Sequence, residues 1–85
     1  MTTQLDAVLE LLVSLGVEVR REEGSGGGLC RVRGRTMMFD DLAADPATRL
    51  QRCIEALASI PEVDRVYVMP AIREAIERVR AQRRS

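Results

Sequence analysis

The residues best able to do chemistry crowd into one stretch, Gly24 to Phe39, which reads GSGGGLCRVRGRTMMF. It holds five of the six glycines, one of the two cysteines, three arginines and the only phenylalanine. Cys30, beside Arg31 and Arg33, is a candidate thiolate, because nearby cations and free amides lower a thiol's pKa. No local base accompanies it, and a free cysteine more often fills a small apolar position. Cys30 is therefore expected on the core side of its sheet. Gly24-Ser25-Gly26-Gly27-Gly28 could aim backbone N–H groups at an anion. The run lacks the P-loop pattern and leads into a strand, whereas phosphate loops lead into a helix. A flexible connector is the simpler account. Pro70-Ala71-Ile72-Arg73-Glu74 opens a helix whose N-terminus, with Arg73 beside it, is a second anion candidate. An ordinary i,i+4 pair between Arg73 and Glu77 competes with that role. The candidate ligand-binding set is Gly26, Gly27, Gly28, Cys30, Arg31 and Arg73. No residue is assigned to catalysis or to a metal.

Absent residue types exclude more than the present ones suggest. The chain has no histidine, and all 13 of its basic residues are arginine. Without histidine, the Ser-His-Asp and Cys-His arrangements cannot form within one chain. Without lysine, Schiff-base chemistry and the P-loop lysine are gone. Two cysteines do not complete a structural zinc site, which takes four ligands. No cofactor is expected, and the balance is against an enzyme.

Charge is neutral overall but uneven. Residues 20–35 carry five arginines against two glutamates, and residues 73–84 carry the same ratio. Residues 40–64 carry six acids against two arginines. Zero net charge gives no global attraction to nucleic acid. The strip Arg31, Arg33 and Arg35 lacks interleaved aromatic residues for base stacking, so nucleic-acid contact is only a second alternative. Separate positive and negative zones suit pairing with a copy of the same chain.

These groups must be positioned by one domain, since 85 residues do not support two independent cores. Leu5, Val8, Leu9, Leu12 and Leu15 recur at helical spacing, which predicts a helix over 3–15. Thr3 is its N-cap and Gly16 its stop. Residues 17–22 alternate as a strand with Val17 and Val19 inward. Residues 29–33 and 35–39 flank Gly34 as a hairpin, its turn read as Gly34-Arg35 of type II′. Its register is open, because a one-residue slip exchanges the faces. Asp45-Pro46 starts a second helix that Pro61 ends. Residues 64–69 are β-branched and predict a fourth strand. Pro70 opens a last helix, with 80–85 as a frayed tail. The expected fold is α+β, a single domain over 1–85 in the order α-β-β-β-α-β-α, with a small mixed sheet against helices.

GGGLCRVRGRTMMF, a following helix and VYVMPAIREAIER together resemble a family of small bacterial proteins. Those proteins carry a Gly-Gly-x-Cys segment, a basic-Gly-basic turn and a Pro-x-x-Arg-Glu segment at the final helix. The resemblance covers most of the chain from Val17 onward and implies no activity. The layout is also similar to the approach to the zinc-binding helix of repressor-cleaving metallopeptidases. At that place this chain has Glu55, Ala56 and Leu57 without histidine, so the metal site is missing.

The N-terminal stretch MTTQLDAVLELLVSLG has acids and no basic segment, and its apolar run is too short to span a membrane. Together with few cysteines this predicts a cytoplasmic protein with reduced thiols. The leading expectation is a non-enzymatic interaction module, a homodimer or a binder of another protein. The alternative is a small anion-binding domain or weak thiol enzyme using the glycine-rich loop and Cys30.

Overall fold

A computed structural model describes residues 3–84. The chain runs α1 (Gln4–Ser14), β1 (Glu18–Glu22), β2 (Gly28–Val32), β3 (Arg35–Asp41), α2 (Pro46–Ala58), a 3-10 turn (Pro61–Arg65) and α3 (Pro70–Arg84). The fold is α+β with a mixed three-stranded sheet in the order β1-β3-β2.

The helices begin where their caps place them. The Thr3 hydroxyl accepts the Asp6 N–H at 3.1 Å, and the Asp6 carboxylate accepts the Thr3 N–H at 3.4 Å. This reciprocal box satisfies two N–H groups that the first helical turn leaves unpaired. Asp45 accepts the Thr48 N–H at 3.2 Å, with Pro46 opening α2. Apolar stripes then meet in one core: Val8, Leu9 and Leu12 from α1, Cys53, Ile54 and Leu57 from α2, and Ile72, Ile76 and Val79 from α3. That core is built from aliphatic side chains, as the scarcity of aromatic residues requires.

β3 is the central strand, parallel to β1 and antiparallel to β2. The hairpin turn is Arg33-Gly34, not Gly34-Arg35. Val32 opposes Arg35, and Arg33 and Gly34 have φ of 52° and 78°. Two consecutive positive φ values make a type I′ turn, whose twist matches that of the flanking strands. The observed register sets Leu29 against Met38, both on the helix side. A turn one residue later would have set Arg31 against Met38 and Leu29 against Asp40. Strand alternation then carries Cys30, Val32, Met37 and Phe39 to the other face. Cys30 therefore faces away from the core, contrary to the expectation for it. Leu29, next to it, takes the inward position.

The expected fourth strand is also replaced. Residues 61–65 form the 3-10 turn, and Val66 is extended (φ −122°, ψ 159°), but the segment joins no ladder. Val63 and Val68 go into the helical core instead. Arg73 holds the turn by donating to the Val63 carbonyl at 2.9 Å and to Asp64 at 2.8 Å. Of the run 64–69 only Val68 is buried, and it packs against helices; Val66, Tyr67 and Met69 are exposed. The segment expected to fray is helical through Arg84. Arg80 donates to the Ala58 carbonyl at 3.2 Å and Arg83 to the Ser59 hydroxyl at 2.8 Å, tying α3 to the end of α2. Ser85 lies outside the described residues. Among the described residues no helix is long and apolar enough to cross a membrane.

The turn offers a direct test. A left-handed conformation costs an ordinary residue roughly 1–2 kcal/mol, and asparagine tolerates it better. Arg33→Asn is expected to stabilise the domain by about 0.5–1 kcal/mol and raise Tm by roughly 3–6 °C. Thermal melts check this, and a lowered Tm contradicts the type I′ assignment.

Candidate functional site

β3 ends in two adjacent carboxylates, and the pleat sends them to opposite faces. Asp40 points toward the helices and is 2% exposed. Arg49 of α2 grips it through two parallel bonds, Nε to Oδ1 at 2.8 Å and Nη2 to Oδ2 at 2.6 Å. This fork-to-fork geometry fixes orientation as well as charge. Asp40 in turn raises the pKa of Arg49. One helical turn on, burial and then the Asp40 charge push the Cys53 thiol up to about 11. Cys53 is thus a neutral core side chain at physiological pH and no nucleophile.

Asp41 turns the other way, into the glycine-rich loop. Its Oδ1 accepts the Gly24 N–H at 2.8 Å and the Ala43 N–H at 3.0 Å, and its Oδ2 accepts the Gly26 N–H at 3.1 Å. Those amides, Ala43 foremost, hold its carboxyl below the usual range, with help from the charge of Arg52. Arg52 lies across the loop. A Cβ on Gly27 would stand 2.7 Å from Arg52 Cδ and 2.8 Å from its Nη1, and Gly27 has φ of 74°. Glycine suits that positive φ, and a larger residue would have to displace the Arg52 side chain. Arg52 Nη1 is buried without a hydrogen-bond partner among the described residues.

The structure therefore gathers Gly26, Gly27 and Gly28 with Asp41 and Arg52. The anion held by two of the loop's amides is the chain's own Asp41. Cys30 is half-buried with a free thiol, opposite Met37 on the helix-free face. Arg31 opposes Thr36 on the helix side and rims a groove shared with Leu15, Val17 and Glu62. Arg73 is engaged elsewhere, on Asp64 and Val63, and the expected pair with Glu77 is not formed. Glu77 pairs with Arg80 at 3.3 Å instead. Cys30 and Cys53 lie on opposite sides of the sheet and are not bonded to each other. Among the described residues no group of three or more acidic, histidine or cysteine side chains could hold a metal ion.

Asp40, Asp41, Arg49 and Arg52 escaped the sequence reading. The signal for the first two was present: two aspartates closing an alternating strand cannot both face water.

The helix-free face completes the picture. Cys30, Val32, Met37 and Phe39 form a strip there, beside Glu18, Arg20 and Arg35. Val32 is 45% exposed. Arg35 reaches Glu18 at 4.0 Å and Arg20 reaches it at 3.8 Å, so the border is an exposed network of both signs. No family model, curated protein or solved structure matches this chain.

Both carboxylates can be tested separately. Asp40→Ala leaves the Arg49 guanidinium, whose side chain is only 19% exposed, without its partner. The expected cost is roughly 3 kcal/mol in urea unfolding. The double variant Asp40→Ala, Arg49→Met should recover a large part of it. For Asp41, the depressed folded pKa means the stabilisation is full above the unfolded carboxylate value, about 3.9. It is lost as pH falls through the lower folded value. Asp41→Asn should lower Tm at pH 7 and remove protection of the Gly24 and Gly26 amides against hydrogen exchange. The Tm difference from the parent should begin to close below about pH 4 and be gone below the lower folded value. A difference independent of pH contradicts the role of the charge.

Proposed function

We propose that this protein is a non-enzymatic interaction module that self-associates. The observation that carries the reading is the one-sided sheet: its core face packs on the helices, while exposed Val32, half-buried Cys30 and Phe39 and buried Met37 share a face on which, among the described residues, no helix packs. An 85-residue domain buries only about 60–65% of the surface of its unfolded chain, so covering further apolar surface is a substantial gain. The border of Glu18, Arg20 and Arg35 supplies both signs of charge, which a second copy can match. Catalytic readings lose support as the reactive groups are used structurally. Cys53 is neutral, Asp40 is clamped, and the loop amides of Gly24 and Gly26 bond to Asp41. In a reducing cytoplasm Cys30 stays a thiol, and association is non-covalent.

Light scattering from micromolar solutions is the test. The expected particle has twice the 9.5 kDa chain mass and dissociates on dilution. Salt should weaken it modestly, because exposed ion pairs are screened. A monomer at every concentration overturns the proposal.

A further inference from the structure

Resting on the self-association reading, we infer that β2 is the edge through which two copies join. The strands pair antiparallel about a two-fold axis at Cys30, and the two sheets become one of six strands. The order β1-β3-β2 leaves β1 and β2 each with one free edge. Such an edge presents unpaired N–H and C=O groups to a neighbour.

The hairpin fixes which groups of β2 point outward. In a two-residue turn the flanking residues, Val32 and Arg35, form the hydrogen-bonded pair that closes it. Alternation then commits the backbone of Cys30 and Gly28 to β3. Leu29 and Arg31 direct their N–H and C=O groups to the free edge. Two copies paired about Cys30 set Leu29 of each against Arg31 of the other, and each such pair exchanges two hydrogen bonds. The two Cys30 residues then form the intervening non-hydrogen-bonded pair. Its Cα atoms stand about 4.5 Å apart, within the range a disulfide spans.

Charge permits this edge and register, and the strip of Cys30 and Val32 favours β2, since β1 carries Glu18, Arg20 and Glu22 on that face. About Cys30, Gly28 meets Val32 and Leu29 meets Arg31, so no like charges stand directly opposite, an arrangement that destabilises a ladder. The two Arg31 side chains are diagonal neighbours only. The rim beside β2 is self-complementary. Above Gly28 and Leu29 lies a notch of about 250 Å³ whose charged residues are Arg52, Glu55 and Arg83. The two-fold sets Arg31 of each copy, which lies on the helix side, beside this notch of the other copy and toward its Glu55. On the opposite face the strips of Cys30, Val32, Met37 and Phe39 become continuous across the axis.

The experiment is oxidative trapping of the full chain with an azodicarboxamide. Two Cys30 thiols become one disulfide, and their two electrons and two protons reduce the reagent's N=N bond to a hydrazine. A covalent dimer on a non-reducing gel is expected, abolished by Cys30→Ser and unaffected by Cys53→Ala. Val32→Cys in the Cys30→Ser background faces Gly28 of the other copy, not itself. It should be trapped at least about tenfold more slowly, since strand geometry separates the two copies of that position by several residue rises. Equal trapping at 32 means random collision and overturns the inference. Arg31→Pro removes an N–H that β3 does not use. It should raise the dimer dissociation constant at least about tenfold, because proline is tolerated on a free edge and blocks pairing there. A dimer by light scattering that is neither trapped at Cys30 nor weakened by Arg31→Pro overturns the β2 edge and leaves self-association standing. A monomer overturns both.

Discussion

The fold depends on two carboxylates that the pleat forces apart. Asp40 and Asp41 end the one strand that is paired on both sides, so neither can swing away from its face. Asp40 draws Arg49 into the interior and fixes where α2 sits on β3. Asp41 collects the amides of Gly24, Gly26 and Ala43 and so holds the approach to β2. A glycine-rich segment loses more conformational freedom on ordering than any other, so it stays ordered only with compensating bonds. Two charge-assisted bonds, from Gly24 and Gly26 to one carboxylate, provide them. The densest cluster of chemically suggestive residues is thereby a structural joint.

That joint also explains why the crowding of glycine, cysteine and arginine suggested a site. The sequence places Cys30, Arg31 and Gly28 within four positions, but β2 sends Cys30 and Arg31 to opposite faces. The loop glycines answer to Asp41, thirteen residues after Gly28, and to Arg52 on the next helix. Nearness along the chain was a poor guide because a strand separates neighbours by design. Pairing with β3 decides which groups meet.

Much of the fold was nevertheless legible. Thr3 with Asp6 and Asp45 with Pro46 announce helix starts by local chemistry alone. The stripes of α1, α2 and α3 follow from periodicity. Legibility fails where two placements satisfy the same local pattern. Either hairpin turn uses Gly34, and only the match of Leu29 to Met38 across the strands selects Arg33-Gly34. Val66 is extended, yet Pro61 and Pro70 bracket the run Val66-Tyr67-Val68, and Arg73 ties the preceding turn to α3 rather than to a strand. Partners distant in sequence decide both cases.

The arginine-only composition carries a structural meaning beyond the chemistry it excludes. Arg49 uses two nitrogens on Asp40, Arg73 bonds both Asp64 and the Val63 carbonyl, and Arg83 bonds both Ser59 and the Glu55 carbonyl. Arg80 reaches Ala58, Asp64 and Glu77. Each of these side chains is a clamp with two or three acceptors, and three of the four join different elements of the chain through a backbone carbonyl. A guanidinium does this with donors fixed in one plane, whereas an ammonium is a point charge on a flexible stem. Exposed ion pairs such as Arg73 with Asp64 add little by their charge. Their value here lies in fixing angles between short helices whose aliphatic core, smooth and nearly free of aromatic rings, would set those angles only loosely.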